Sequence, residues 1–231
     1  MGRPDRAARG ALGRAGPRAG AGRLSTPRQD ADRSGGLAAS YVQLVVGCTL
    51  LGVGVALLLE ASLGSDGYST LVNGLTVATG LPFWQLNIVV GGVFLALAWV
   101  RGTRPGPGTL VQWFLVGFVI SGVLAVVPDV SSGAGRALLL VPAFVLLTVG
   151  IGTYLASATG AGPAEAMAIA WDPPIPFRWS YNLVQATGAL VGWLLGAAVG
   201  PATVVVFLLL GPAVDLFRRT FPALERAPQR R

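Results

Sequence analysis

The sequence has no histidine, no lysine, a single cysteine and little charge of either sign. One cysteine, Cys48, cannot build an internal disulfide framework, and a chain without histidine lacks the usual ligands of a Cys/His metal site. The missing histidine also excludes Ser-His nucleophilic catalysis and HExxH zinc hydrolysis. We therefore expect no metal, no cofactor and no enzymatic activity.

What is present is apolar. The 231 residues are 53% hydrophobic and 12% charged, whereas soluble domains carry roughly 25% charged residues. This composition predicts a polytopic membrane protein whose main partner is the lipid bilayer. The net charge of +7 raises the alternative of nucleic-acid binding, but the arginines flank apolar runs, where positive charge sets membrane orientation. We therefore expect no nucleic-acid partner.

Six apolar runs have about the 20 residues that a helix needs to cross the hydrocarbon core. They predict an all-α fold with six transmembrane helices. Aromatic residues near the ends of these runs are typical of the membrane interface; they are Tyr41, Trp84, Trp99, Trp113 and Trp179. The predicted spans are 41–63, 83–100, 109–127, 137–158, 179–199 and 202–217.

The distribution of arginine predicts the topology, because positively charged loops stay in the cytoplasm. With the N-terminus inside, all of the 17 arginines except Arg136 lie on the cytoplasmic side. Residues 1–40 then form a disordered, arginine-rich cytoplasmic tail, since they have too few apolar residues to fold. Residues 218–231 form a second basic cytoplasmic tail. We expect a multi-pass protein of the cytoplasmic membrane.

Two polar, glycine-rich elbows, 63–75 and 159–167, divide the chain into similar halves. Residues 41–127 form the first three-helix repeat, 128–136 an outer connecting loop, and 137–217 the second repeat. The halves align at an offset of 94–96 residues, which places Pro82-Phe83 on Pro176-Phe177. Because each half has an odd number of spans, the second enters the membrane from the opposite side, as in inverted-repeat transporters. The alternative is chance similarity between apolar helices.

The same elbows and the glycines around them resemble a known family. The likeness covers about residues 42–220 and is to the YczE-like branch of the YitT/YczE bacterial integral membrane proteins, whose function is not established. The resemblance implies a Pro-Trp pair where this chain has Gly67-Tyr68, and an acidic residue where it has Gln185. The residues that support it are Leu63-Gly64, Asp66, Leu71 and Gly74-Leu75 in the first half, and Gly150, Gly152, Gly160-Ala161-Gly162-Pro163, Gly192 to Gly196, Thr203 and Gly211-Pro212 in the second.

Polar residues inside or beside the spans are the candidates for a substrate or ion path. Glu60 is a carboxylate in an apolar run, which favours a functional site unless the headgroups hydrate it. Asp66 is either a ligand-binding residue or a simple N-cap, and the buried amides either gate a path or join helices. The candidate path residues are Glu60, Gly64, Asp66, Asn73, Asn87, Asn182 and Gln185, with Gly160, Gly162, Pro163 and Glu165 in the second elbow.

Glycines repeat every four residues along the fifth predicted span, at Gly188, Gly192, Gly196 and Gly200. This spacing places them on one helix face, where small residues let another helix approach closely. We expect the contact to lie within the monomer. A homodimer is the alternative.

These features favour a small-solute transporter or permease of unknown specificity. The alternative is a membrane anchor or regulatory protein that transports nothing and acts through a partner. The two hypotheses differ in their interior: a polar cavity reaching Glu60 or Asn87 favours transport, whereas a dry, close-packed bundle favours the anchor.

Overall fold

The computed structural model describes residues 27–225, with their side chains from Gly36 onward. Most of the predicted tail at 1–40 and the end of the predicted tail at 218–231 lie outside the described residues. The chain forms two units, residues 1–35 and residues 36–231. The described part of the first unit is the start of a long helix.

Within the described part of the chain, every regular element is helical, which confirms the all-α prediction. Proline or glycine precedes or starts most of the helices, because proline suits a first turn and cannot continue a preceding helix. A short 3-10 turn, Pro222–Leu224, ends the described chain. The helices are α1 (Pro27–Ala61), α2 (Gly67–Thr79), α3 (Phe83–Val100), α4 (Pro107–Leu124), α5 (Gly133–Ala156), α6 (Pro163–Ile169), α7 (Phe177–Leu194) and α8 (Pro201–Thr220).

Five of the described helices are long and apolar enough to cross a membrane: α1 from Gly36, α3, α4, α5 and α8. The predicted fifth span corresponds to α7, which has the same 18 residues as α3. Its first half contains Arg178, Asn182 and Gln185, so that α7 is less apolar than the other five. Five of the six predicted spans therefore meet the length and apolarity of a membrane helix.

The hydrophobic core surrounds α1, and α3, α4, α5 and α8 all contribute buried residues to it. Leu44 and Leu58 on α1, Ile120 on α4 and Leu147 on α5 are all at most 2% exposed. At Gly54 of α1, an added methyl group would lie within contact distance of the backbone of α5 at Leu147. This close approach leaves no room for a solvent-filled path between α1 and α5 at that level.

The two elbows fold as the short helices α2 and α6, and α2 packs along α7. The predicted face of four glycines is shorter than expected, because α7 ends at Leu194. Gly188 and Gly192 lie against the backbone of α2. Gly196 has a φ of +100°, which follows the helix end, and Gly200 is the N-cap of α8. A left-handed glycine commonly terminates a helix, so the last two glycines do not share the α7 face.

Replacing Gly192 with alanine is expected to destabilise the protein by about 1–3 kcal/mol, the usual cost of overpacking. A Cβ atom at Gly192 would overlap the carbonyl of Thr70 on α2, and backbone cannot move aside as a flexible side chain does. Gly122→Ala in α4 is the matched control, since an added Cβ there has no atom within 4 Å. Thermal unfolding of the detergent-purified variants measures the difference, and equal melting temperatures would contradict the packing.

Candidate functional site

A cavity of about 70 Å³ lies in the interior, and each of the eight described helices contributes at least one residue to its lining. Its apolar wall comes from the central turns of the long helices, including Leu51 on α1, Val116 on α4 and Leu147 on α5. One water molecule needs about 10–15 Å³ of such a cavity, so it has room for roughly five groups of that size. The cavity therefore suits an ion or a solute of a few heavy atoms.

Several of the predicted path and elbow residues meet at this cavity. Asp66, Asn87 and Gln185 from the path line it, together with Pro163 and Glu165 from the second elbow. They come from two pairs of consecutive helices, α2 with α3 and α6 with α7, which are distant from each other in sequence. The short helices bring them together, because each elbow turns its first residues back towards the centre of the bundle.

Asp66 is the N-cap of α2. Its Oδ2 atom accepts a hydrogen bond from the backbone N–H of Ser69 at 3.0 Å, and its Oδ1 atom accepts one from the Ser65 hydroxyl at 3.2 Å. An N-cap carboxylate satisfies one of the free N–H groups of the first helical turn. The same side chain lines the cavity, so the cap also fixes a carboxylate at its wall.

Gln185 joins α7 to the start of α2. Its Oε1 atom accepts a hydrogen bond from the Tyr68 backbone N–H at 2.9 Å. Its Nε2 atom donates to the hydroxyl of Tyr181, one turn earlier on α7, at 2.7 Å. Both ends of the amide are therefore occupied, which holds the two tyrosines in place at the cavity wall.

Asn87 joins α3 to α2 and α4. Its Oδ1 atom accepts from the Tyr68 hydroxyl at 3.0 Å, and its Nδ2 atom donates to the backbone carbonyl of Trp113 at 2.8 Å. The Trp113 indole N–H donates back to the Asn87 carbonyl at 3.1 Å. Trp113 also lines the cavity, and in this exchange its indole N–H and the Asn87 amide each have a partner. The place of Trp113 at the membrane interface stays a prediction.

Glu165 in α6 is the second carboxyl at the cavity. The hydroxyl of Tyr154, a fully buried residue of α5, donates a hydrogen bond to its Oε1 atom at 2.7 Å. Burial raises the pKa of the Glu165 carboxyl above its ordinary value, because the charged form is poorly solvated there. Glu165 is therefore a group that holds a proton to higher pH than an exposed glutamate.

Gln112 on α4 lines the cavity and is only 7% exposed. Its Oε1 atom accepts no hydrogen bond from any described residue. Buried polar atoms are nearly always paired, so an unpaired one needs an explanation.

Sequence reasoning missed Gln112, Tyr154 and Tyr181 as site residues. A signal was available for the first, since a glutamine within a predicted span is costly unless it has a partner or a role. The two tyrosines gave no such signal, because a tyrosine near the end of an apolar run usually marks the membrane interface.

The remaining predicted path residues lie elsewhere. Glu60 is in the last turn of α1, where its Oε1 atom accepts from the backbone N–H of Val130 at 2.9 Å and so holds the connecting loop. Asn73 is half-buried on α2 and does not line the cavity, and Asn182 is exposed on α7.

The elbow glycines allow tight turns between the long and the short helices. Gly64 has a φ of +106° and packs against Thr203 at the start of α8, while Gly160 has a φ of +153° and packs against Thr109 at the start of α4. Gly162 is the N-cap of α6 and lies beside the Gln112 amide. These turns direct α2 and α6 towards the cavity.

Comparison with known proteins places the chain among membrane proteins. It is 26% identical over 170 residues to the uncharacterized membrane protein YczE of Bacillus subtilis, covering 71% of this chain and 79% of the relative. It is 24% identical over 190 residues to an uncharacterized protein of Haemophilus influenzae, covering 80% of this chain and 86% of that protein. No solved structure gives a significant match.

The apolar helices and these relatives together identify a multi-pass integral membrane protein. The expected YczE-like resemblance is confirmed. Residues 38–219, which include all the cavity residues, match a single family along their whole length. The chain belongs to that family, the family of unknown function DUF6198.

Proposed function

We propose that this protein is a transporter or permease for a small solute, with its binding site in the central cavity. The supporting observation is a cavity between long apolar helices whose mostly apolar wall carries polar groups, Asn87 among them. Many transporters place their sites near the bilayer midplane, where short or interrupted helices meet. The short helices α2 and α6 both contribute polar side chains to this cavity.

The second part of the proposal is an inverted repeat in which α1–α4 correspond to α5–α8. Several backbone features support it at a separation of 94–96 residues. Ser62 and Ala158 have φ values of +51° and +52°, and each is followed two residues later by Gly64 or Gly160, also with positive φ. Helices α3 and α7 each have 18 residues after a proline N-cap, and α4 and α8 each begin with proline after a glycine N-cap.

The cavity wall supports the same correspondence. Six of its apolar residues form three pairs from equivalent positions of the two halves, which is the pattern expected of a site on the axis between repeats. The polar residues break the symmetry, since Asn87 corresponds to Tyr181 and Ser69 to Glu165. The apolar pairs are Leu51 with Leu147, Val55 with Ile151, and Val116 with Leu210.

We propose α7 as the sixth membrane span, equivalent to α3. Its buried side contacts α2 and the cavity, and its exposed side presents large apolar residues such as Leu183, Leu190 and Trp193, each more than half exposed. An exposed apolar face of this kind suits lipid. Of the polar residues that lower the mean hydropathy of α7, Gln185 faces the protein, whereas Arg178 and Asn182 are exposed in its first turns.

Six spans place both termini on one side of the membrane, whereas five place them on opposite sides. We expect reporter fusions at the N-terminus, at the C-terminus and in the loop at 101–108 all to be cytoplasmic, because the arginines cluster there. Fusions that report the N-terminus and the C-terminus on opposite sides would show that α7 does not span. An outside location of the 101–108 loop would contradict the orientation.

Transport is tested by comparing a deletion strain with the same strain complemented by the gene. We expect at least one small solute to differ in uptake or export between them, and the purified protein to exchange that solute in proteoliposomes. A matched set of proteoliposomes with heat-inactivated protein provides the control for leak. If no solute differs, the protein is better explained as an anchor or regulator that acts through a partner.

A further inference from the structure

The charge of the central cavity indicates the sign of its ligand. Two carboxyl groups, Asp66 and Glu165, line it, and no arginine is among its lining residues. Burial raises the pKa of the Glu165 carboxyl, and the Asp66 carboxyl at the same cavity adds to that shift. Two like charges in a poorly solvated space are unfavourable unless a proton or a cation offsets them. An anionic solute would add a third negative charge.

The unpaired Oε1 atom of Gln112 is an independent sign of a ligand. It is an acceptor on a side chain that is more than nine-tenths buried, and it lies at the wall of the same cavity. Gln112 also lies beside Gly162, three residues before Glu165. An acceptor left open at the wall of a cavity that two carboxyl groups also line matches a ligand that donates hydrogen bonds.

The aromatic residues indicate what kind of cation fits. Tyr68, Trp113 and Tyr181 line the cavity with the acceptors. Aromatic faces attract ammonium groups, whereas hard divalent cations such as Ca²⁺ take six to eight oxygen ligands. Among the described residues no three His, Cys, Asp or Glu side chains cluster as a metal site, whereas the three acceptor groups of this site match the three N–H donors of a primary ammonium group.

We propose that the cavity binds a small primary ammonium cation, held by the Asp66 and Glu165 carboxylates and the Gln112 amide oxygen. The aromatic side chains contact its short alkyl group. A cavity of about 70 Å³ limits that group to a few carbon atoms. This cation would be the substrate class of the transporter, and its role as substrate rests on the transport function proposed above.

Calorimetric titration of the full chain in detergent with methylammonium chloride tests the assignment. We expect saturable binding that is at least tenfold tighter than that of sodium ion, with no binding of acetate or of the larger tetrabutylammonium ion. Glu165→Gln should weaken the binding at least tenfold. Glu225→Gln is the matched control, because it removes an exposed carboxylate outside the cavity.

Gln112→Leu is the second variant, and it should also weaken methylammonium binding. It keeps the assignment testable if Glu165→Gln does not fold. Absence of saturable binding by the folded wild type, or equal binding of sodium ion, would overturn the assignment. So would wild-type affinity in both variants. Binding without movement in proteoliposomes would refute transport and leave the site intact, whereas movement of another solute without methylammonium binding would refute only the site.

Discussion

Glu165→Gln is expected to lower methylammonium affinity about 30-fold and to abolish its dependence on pH. Removing one partner of a desolvated charge pair costs about 2–5 kcal/mol, and 2 kcal/mol corresponds to roughly 30-fold. The glutamine still offers an oxygen to the Tyr154 hydroxyl, so we expect the variant to fold. The large effect comes from the charge alone.

The pH dependence follows from the direction of the pKa shift. Burial raises the pKa of Glu165, so the carboxyl keeps its proton to higher pH than usual. That proton competes with the cation for the carboxylate. Wild-type affinity should therefore fall as pH decreases through that pKa, by about tenfold per pH unit when one proton is displaced. The titratable groups that act electrostatically with Glu165 are Asp66, Tyr68, Tyr154, Tyr181 and Cys48.

Titrations of wild type and Glu165→Gln between pH 5 and 9 measure this difference, with Glu225→Gln as the control. We expect the curve of the control to follow the wild type. A wild-type affinity that is constant over this range would mean that no proton competes with the cation. A slope that persists in Glu165→Gln would assign the proton to another group. Exchange of bound cation for proton at one carboxyl would couple transport to the proton gradient.

The helices could largely be predicted from the sequence. A helix that crosses lipid needs a long apolar run, and proline or glycine marks where each run begins or ends. The predicted span 83–100 coincides with α3, and 109–127 differs from α4 by only a few residues. The end of α7 was misplaced, since Gly196 fits a helix face and a helix terminus equally well by spacing.

The geometry of the cavity could not be predicted in the same way, because it depends on how α2 and α6 turn. The sequence drew attention to Glu60 as the carboxylate in an apolar run, yet α1 ends one residue later and Glu60 reaches the connecting loop. Glu165 follows a glycine-rich turn and could be named from the sequence only as a candidate residue of the second elbow. Only the fold of the elbow brings it to Tyr154 in the interior.

Gln112→Leu is expected to stabilise the protein by about 1 kcal/mol while weakening methylammonium binding about tenfold. A buried acceptor without a partner costs about 1–3 kcal/mol, and an apolar residue of similar size removes that cost. The loss of the oxygen removes one of the three acceptors proposed for the ammonium group. Stability and binding should therefore change in opposite directions.

Gln43→Leu is the matched comparison, because Gln43 on α1 is also 7% exposed. Its Nε2 atom donates to the carbonyls of Thr153, at 3.1 Å, and Leu224, at 2.8 Å. The same substitution there should destabilise the protein by about 1–3 kcal/mol, since it leaves buried acceptors without their donor.

Thermal unfolding of the two variants without ligand, followed by methylammonium titration, separates the two effects. If Gln112→Leu proved as destabilising as Gln43→Leu, the Gln112 amide would have a structural partner, and its assignment to the ligand would fail. The expected opposite signs would instead mean that the protein keeps an unpaired glutamine at the cost of stability. Natural proteins accept such a cost where a polar group serves function, and here that function is binding a cation.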